Sequence, residues 1–227
     1  MPLARLDPNK PEQAFPDLDQ ALDEPNGLIA IDGCLSAKRL LNAYRAGIFP
    51  WYNPNEPILW WSPDPRLVIL PEQVNISRSL AKALRKQTFK IKFDTAFGLV
   101  IEACSAPRAD AGGTWISEEI KLAYMTLHEL GHAHSVEAWE EDQLVGGLYG
   151  ISIGRVFFGE SMFHTRTDAS KVAFVHLCQK LETLNYQIID CQVKSKHLIS
   201  LGAKEITREE FRQILDEYCV YPDAWQI

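Results

Sequence analysis

Three groups of residues in this 227-residue chain have types and spacings that could do chemistry. The first, His128-Glu129-Leu130-Gly131-His132, carries the H-E-x-x-H spacing of zinc peptidases. That chemistry needs two imidazoles one turn apart on a continuous helix, with the glutamate as general base. Gly131 reads instead as a C-terminal cap, and His132 to Glu137 alternates like a strand. The histidines are therefore expected at a helix end, with His164 the one later candidate for a third ligand, and no metal is expected.

The second group lies in Tyr186 to Val193. Period two puts Asp190 and Gln192 on one face of a strand and Ile189 and Cys191 on the other. A carboxylate beside an amide at the end of a core strand must be hydrogen-bonded. The pair either ties down a loop or makes a carboxylate that orients an amide, whose carbonyl oxygen then positions an amine. So weak a base suits an acyl group that is already activated and an α-amino nucleophile, whose pKa is about 7.7–8.0. No Gly-x-Ser-x-Gly elbow and no Cys-His pair competes with it.

The third group is basic. Between Asn75 and Phe93 stand Arg78, Lys82, Arg85, Lys86, Lys90 and Lys92 with no acid, a charge of +6 that leaves −13 on the rest of the chain. Four of them share one helical face, and Lys90 and Lys92 continue onto the outer face of the next strand. Such stacking repels itself, a cost more readily tolerated where a sugar-phosphate backbone neutralises it; the alternative is a solvated helix face.

The elements that must position these groups follow from punctuation and period. Eleven of the thirteen prolines lie at or before Pro71, so the first third is expected to be loop-rich. One helix fits there, capped by Ser36, with Leu40, Leu41 and Tyr44 on a face and a stop at Gly47. Next come a strand at Arg66 to Leu70, a helix capped by Ser77 running to about Gln87, a strand from Phe89 to Phe93 and a helix from about Thr95 to Ala103. A helix from Ser117 to Leu130 buries Ile120, Ala123, Tyr124, Leu127 and Leu130. Three strands (His134–Trp139, Leu144–Ile151, Arg155–His164) precede a helix from about Asp168 to Leu184 and the strand of Asp190. Thr207 and Glu210 form a capping box for a last helix. The sum is an α+β chain, with a small loop-rich N-terminal domain over 1–64 and a mixed domain over 65–227.

Composition excludes other classes. With 46% hydrophobic and 23% charged residues the chain is globular rather than disordered. The N-terminus lacks the apolar run of a secretory signal, and no segment has the length and apolarity of a membrane helix, so no membrane partner is expected. Five scattered cysteines without Cys-x-x-Cys predict free thiols and a cytoplasmic location.

Several strings, taken together, go further. They are Gly47-Ile48-Phe49-Pro50-Trp51-Tyr52, Trp60-Trp61-Ser62-Pro63-Asp64-Pro65-Arg66, Thr114-Trp115-Ile116, His128 to Glu137, Leu144 to Gly150, Gly159-Glu160-Ser161-Met162-Phe163-His164, Ile189-Asp190-Cys191-Gln192 and His197 to Ala203. In this order, from about Gly27 to Phe211, the chain closely resembles the bacterial leucyl/phenylalanyl-tRNA–protein transferase family. The resemblance implies a Gcn5-related acetyltransferase-like fold, a mixed sheet flanked by helices, for the C-terminal domain. It implies transfer of leucine, phenylalanine or methionine from aminoacyl-tRNA to proteins beginning with arginine or lysine, making an N-degron, with no metal or bound cofactor.

By the same resemblance Trp51 and Trp115 hold the 3′-terminal adenosine, and Leu148, Phe157 and Met162 line the pocket for the donor side chain. Leu148 stands where many relatives are expected to have methionine. Glu160 and Asp190 supply negative charge to the cationic acceptor. Asp190 polarises Gln192 to assist the attacking amine, or else the substrate's own groups shuttle the proton. The basic stripe would meet the tRNA backbone, and the enzyme is expected to act as a monomer. The competing readings are an acyl-coenzyme A acetyltransferase, a zinc peptidase and a non-catalytic tRNA-binding module. His164 to Ser170 lacks the glycine-rich pyrophosphate loop that the acetyltransferase would need.

Overall fold

A computed structural model describes residues 3–106 and 114–225. Its first third is not bare loop. Four short strands, β1 (Ala4–Leu6), β2 (Leu28–Asp32), β3 (Phe49–Pro50) and β4 (Leu59–Trp61), form a sheet in the order β1-β2-β4-β3. Strands of two to five residues, broken by proline, carry too little alternation to be seen in the sequence. Helix α1 (Ala37–Arg45) starts where expected, with the Ser36 hydroxyl accepting from the Arg39 amide. Gly47 takes φ +74 immediately after it.

The second sheet has seven strands in the order β11-β5-β10-β9-β8-β7-β6. They are β5 (Arg66–Ile69), β6 (Lys90–Phe93), β7 (Ala133–Glu140), β8 (Gln143–Ile153), β9 (Val156–His164), β10 (Ile188–Gln192) and β11 (Lys204–Ile206). The β6-to-β9 run is an antiparallel meander. Helix α5 (Ala169–Thr183) then crosses back to deliver β10 parallel to β9. Helices α3 (Phe97–Ser105), α4 (Glu118–Glu129) and α7 (Arg208–Tyr218) cover one face; α2 (Arg78–Lys86), α5 and the short α6 (Lys196–Ser200) lie on the other. The mixed sheet flanked by helices is the α+β arrangement expected. Helix α6 and strand β11 were not expected, being only five and three residues long.

Helix α3 starts at Phe97 rather than Thr95, because the buried Glu137 carboxylate accepts from the Thr95 and Ala96 amides at 3.2 and 3.3 Å and holds them outside the helix. Leu130, expected on the buried stripe of α4, is 58% exposed: the helix ends at Glu129 and the chain turns away through Gly131.

One buried cluster runs from Leu6, Tyr44 and Trp60 through Phe158, Phe211 and Leu215, so the first sheet and the α3/α4 face of the second share a core. A separate cluster packs α5 against Leu148, Phe157 and Ile189. That face depends on Gly150, where an added Cβ would lie 2.3 Å from the Phe158 carbonyl and 2.5 Å from the Phe157 ring. Gly150→Ala should therefore cost about 1–3 kcal/mol by overpacking, read as a lower urea midpoint at unchanged m-value.

Candidate active site

Strands β9 and β10 pair only over Val156–Phe158 and Ile188–Asp190, and then diverge. Two irregularities sit at the divergence. Between β8 and β9 the register slips so that Glu160 is the extra residue, with Tyr149 opposite Ser161 and Gly150 opposite Gly159. Between β10 and β5 it slips again at Cys191. Sheet faces beyond these points cannot be read by counting in twos.

A cavity of ≈ 940 Å³ opens in the cleft. Its apolar arm lies on the α5 face, walled by Leu148, Phe157, Met162, Phe174 and Leu177. Leu148 and Met162 are direct cross-strand partners. Its polar arm lies on the other face, with Trp115, Tyr149 and Glu160. Asp190 and Gln192 border the cavity between the arms.

Asp190 and Arg66 form a buried ion pair, their side chains 0% and 1% exposed. The guanidinium donates from Nε to Oδ1 at 2.8 Å and from Nη2 to Oδ2 at 2.7 Å. Its remaining arm donates from Nη1 to the Gly47 carbonyl at 3.0 Å. The same group lies 4.8 Å from the Phe49 ring centroid and 4.7 Å from that of Phe211. Gln192 donates to the other side of the carboxylate, from its amide nitrogen to Oδ1 at 3.0 Å and from Nε2 to Oδ2 at 3.3 Å. Asp190 and Gln192 thus do meet, though not by simple alternation: the β10 bulge and a left-handed φ of +56 at Gln192 bring them together. With Nε2 turned to Asp190, Oε1 is the end of the amide left for a ligand. Cys191 packs in the α5 cluster, and burial pushes its thiol well above the ordinary cysteine range, which disfavours the thiolate.

Glu160 is served by hydroxyls. Tyr44 donates to Oε1 at 2.7 Å and Tyr124 to Oε2 at 2.9 Å, and the two phenol oxygens lie 2.5 Å apart. Burial pushes the Glu160 carboxyl up to about 8; the two hydroxyls pull it down, Asp190 adds to the rise and Arg66 opposes it. Tyr149 is fully buried beside this group, and its hydroxyl has no hydrogen-bond partner among the described residues. Burial and the Glu160 charge hold all three tyrosines well above their ordinary range.

The remaining expected residues divide. Trp115 lines the cavity, whereas Trp51 does not. Trp51 is 46% exposed just after β3, edge-on to Trp61 at 6.0 Å. None of the six basic residues lines the cavity or forms a salt bridge among the described residues. Nor are they one continuous surface. Helix α2 packs through Leu80 on the α5 face, while Lys92 stands opposite Glu137 in the β6–β7 register, on the other face, and lies 4.9 Å over the Trp139 ring. The stripe is divided by the sheet, with β6 at its edge.

The H-E-x-x-H motif is not a helical face, since α4 ends at Glu129. His128 stacks on Phe97 at 4.3 Å, and its Nδ1 meets the Ala133 carbonyl at 2.7 Å. His132 lies 3.5 Å from Asp223 instead. No cluster of three metal-ligating side chains occurs among the described residues. Arg66, Tyr44, Tyr124 and Tyr149 were not singled out in the sequence for the site. The usable signal was the burial expected of Asp190, which demands a cation without saying which.

Comparison with known proteins places this geometry in a class. A family model described as Leucyl/phenylalanyl-tRNA protein transferase matches residues 68–216, and one described as Leucyl/phenylalanyl-tRNA protein transferase N-terminal domain matches 33–64. A leucyl/phenylalanyl-tRNA–protein transferase of Nitrosomonas europaea is 58% identical over 208 residues, 92% of this chain and 88% of that one. Its counterpart in Methylococcus capsulatus is 54% identical over 227 residues, 99% and 97% of the two chains. Among solved structures, a GCN5-related N-acetyltransferase from Kribbella flavida is 9% identical over 70% of this chain and 56% of that one, at a TM-score of 0.38, too slight to carry a conclusion. The protein is an aminoacyltransferase of the class that moves amino acids from aminoacyl-tRNA to proteins. The chain belongs to the leucyl/phenylalanyl-tRNA–protein transferase family.

The raised Glu160 carboxyl has a consequence for stability. Between the ordinary carboxylate pKa of 4.5 and about 8, the native state keeps a proton that the unfolded chain has lost. Stability therefore falls as pH rises through that window. Glu160→Gln lacks this dependence, so its stability relative to wild type should climb by more than about 1 kcal/mol between pH 5 and pH 8 in urea titrations.

Proposed function

We propose that this chain transfers leucine, phenylalanine or methionine from aminoacyl-tRNA to the α-amino group of proteins beginning with arginine or lysine, and so creates N-degrons in the cytoplasm. The reading divides the chain into a small N-terminal domain, 1–64, and a catalytic domain, 65–227, working as a monomer. The observation that carries it is the Arg66–Asp190–Gln192 arrangement at the junction of an apolar arm and an acidic arm.

The apolar arm takes the donor side chain against Leu148, Phe157 and Met162. Its aliphatic and aromatic walls suit leucine and phenylalanine and offer no partner to a charged donor. The 3′-terminal adenosine stacks on Trp115 at the cavity wall and on the exposed ring of Trp51. The polar arm takes the acceptor, with Glu160 facing its cation. An opposing cation favours the charged form of a carboxyl, so acceptor binding offsets the burial that keeps Glu160 protonated.

The reaction breaks the ester bond between the amino acid carbonyl and the ribose 3′ oxygen and forms an amide bond to the acceptor nitrogen. Asp190 fixes the Gln192 amide, and Oε1 accepts a hydrogen bond from the attacking amine. The proton lost by nitrogen ends on the departing ribose oxygen. The ester is already activated, so holding the amine against the carbonyl supplies much of the rate. Arg66, by neutralising Asp190, keeps the Gln192 anchor in place.

Radiolabelled leucyl-tRNA and a peptide beginning with arginine test the transferase reading. Wild type should label the peptide, and Gln192→Ala should lower kcat/KM by about 100-fold or more without weakening tRNA binding. An unlabelled peptide would refute it. Contact of Arg78, Lys82, Arg85, Lys86, Lys90 and Lys92 with the tRNA backbone makes a separate prediction. Changing Lys82, Arg85 and Lys86 to glutamate should weaken tRNA binding at least about tenfold and flatten its salt dependence, while turnover of a short aminoacyl-adenosine is spared. Equal losses on both substrates would remove the stripe from the tRNA interface.

A further inference from the structure

The wall of the apolar arm is held from behind by the last described turn of the chain. Trp225 is 4% exposed, and its indole Nε1 donates to Asp94 Oδ2 at 2.7 Å. Asp94 is itself fixed, accepting from the Ser135 amide at 2.8 Å and lying 3.0 Å from His134 Nδ1. The indole stacks on His134 at 4.5 Å and 25°, and on Phe157 at 5.8 Å and 24°. Lys180 of α5 places its ammonium 4.6 Å from the same ring. Two residues earlier, Asp223 accepts from the Gly154 amide at 2.5 Å, so the segment is pinned at both ends.

Phe157 therefore has two neighbours of different kinds: the cavity in front and Trp225 behind. Its ring lies over Gly150, where no side chain stands between it and His134 on the next strand. On the side away from the cavity the ring rests against the Trp225 indole.

We propose that Trp225 is a positioning residue for donor selection, holding Phe157 at the depth that sets the length of the apolar arm. This rests on the reading of that arm as the donor side-chain site. Without the indole, the Phe157 ring can settle into the vacated volume. The arm then lengthens, leucine loses contact with its end, and the longer phenylalanine side chain keeps it. One offset aromatic contact is worth roughly a factor of two to ten in an equilibrium, which bounds the effect.

The test measures kcat/KM for leucyl-tRNA and phenylalanyl-tRNA, with an arginine-initiated peptide, in the full chain and in Trp225→Ala and Trp225→Phe. Trp225→Ala should raise the phenylalanine-to-leucine ratio about fivefold, with unchanged affinity for deacylated tRNA. Trp225→Phe keeps a flat ring against Phe157 but loses the bond to Asp94, so it should keep the ratio within about twofold while lowering the urea midpoint. If Trp225→Ala does not fold, Trp225→Leu takes its place, since it fills volume without a stacking face. A ratio that is unchanged or moves toward leucine, or an equal fall on both donors, would leave Trp225 a structural residue only and overturn the proposal. A wild-type chain that transfers neither donor would instead overturn the donor-site reading, and this proposal with it.

Discussion

The buried pair of Arg66 and Asp190 is the constraint from which the rest of the site follows. Two charges taken from water are tolerable only when each is fully served. Here the guanidinium spends its donors on both carboxylate oxygens and the Gly47 carbonyl, between the rings of Phe49 and Phe211. These groups come from five parts of the chain: the turn after α1, β3, β5, β10 and α7. The pair thus joins the first sheet to the second at the point where β10 leaves β9 and the cavity opens. Helix α1 meets the site a second time through the Tyr44 hydroxyl on Glu160. The first sheet and α1 thus brace the residues of the site through Tyr44 and the Gly47 carbonyl, and the continuous buried cluster through both sheets is the packing counterpart of those polar contacts.

The cavity's two characters follow from the two sheet faces. Diverging strands give access to both sides at once, so one opening has an aliphatic-aromatic arm against α5 and a polar arm beside the α3/α4 face. The bulges assign the residues to those sides. An extra residue at Glu160 aims a carboxylate at Tyr44 and Tyr124, and an extra residue at Cys191 lets Gln192 fold back on Asp190. An unbroken pleat would carry the same sequence with these side chains on other faces.

Those bulges mark the limit of what the sequence made legible. Long periodic segments were readable because burial enforces their period: α1, α2, α4, α5 and the meander lie close to where capping residues and alternation place them. The strands of the first sheet were not, since two to five residues cannot establish a period. Counting in twos brought Asp190 and Gln192 together for an incomplete reason, and joined Lys90 and Lys92 to a helix that packs on the opposite side of the sheet. Leu148, Phe157 and Met162 were named through family resemblance, and they do line one arm. Arg66 closes a string quoted for that resemblance, yet nothing local marks it, among 23 basic residues, as the partner of a residue 124 positions away. The H-E-x-x-H motif is the converse case, where spacing matched and the helix it needs ends at Glu129, three residues short of His132.

The two carboxylates of the site are held in opposite ways, and this separates their work. Asp190 faces a permanent cation at hydrogen-bond distance, so its charge is balanced within the fold and its remaining lone pairs are committed to Gln192. It is therefore placed to orient the Gln192 amide. Among the described residues Glu160 is given only neutral hydroxyl donors, and both burial and Asp190 discourage its ionisation. Its charge is therefore the one that a ligand can change. Under the proposed function, the acceptor's cation would supply the counter-charge that the fold withholds from Glu160 and provides to Asp190. The acidity of the polar arm is in this sense conditional on what occupies it. On the proposed reading, a part-buried acidic group of this kind would take a cationic guest without carrying the full cost of an unpaired charge in the empty protein.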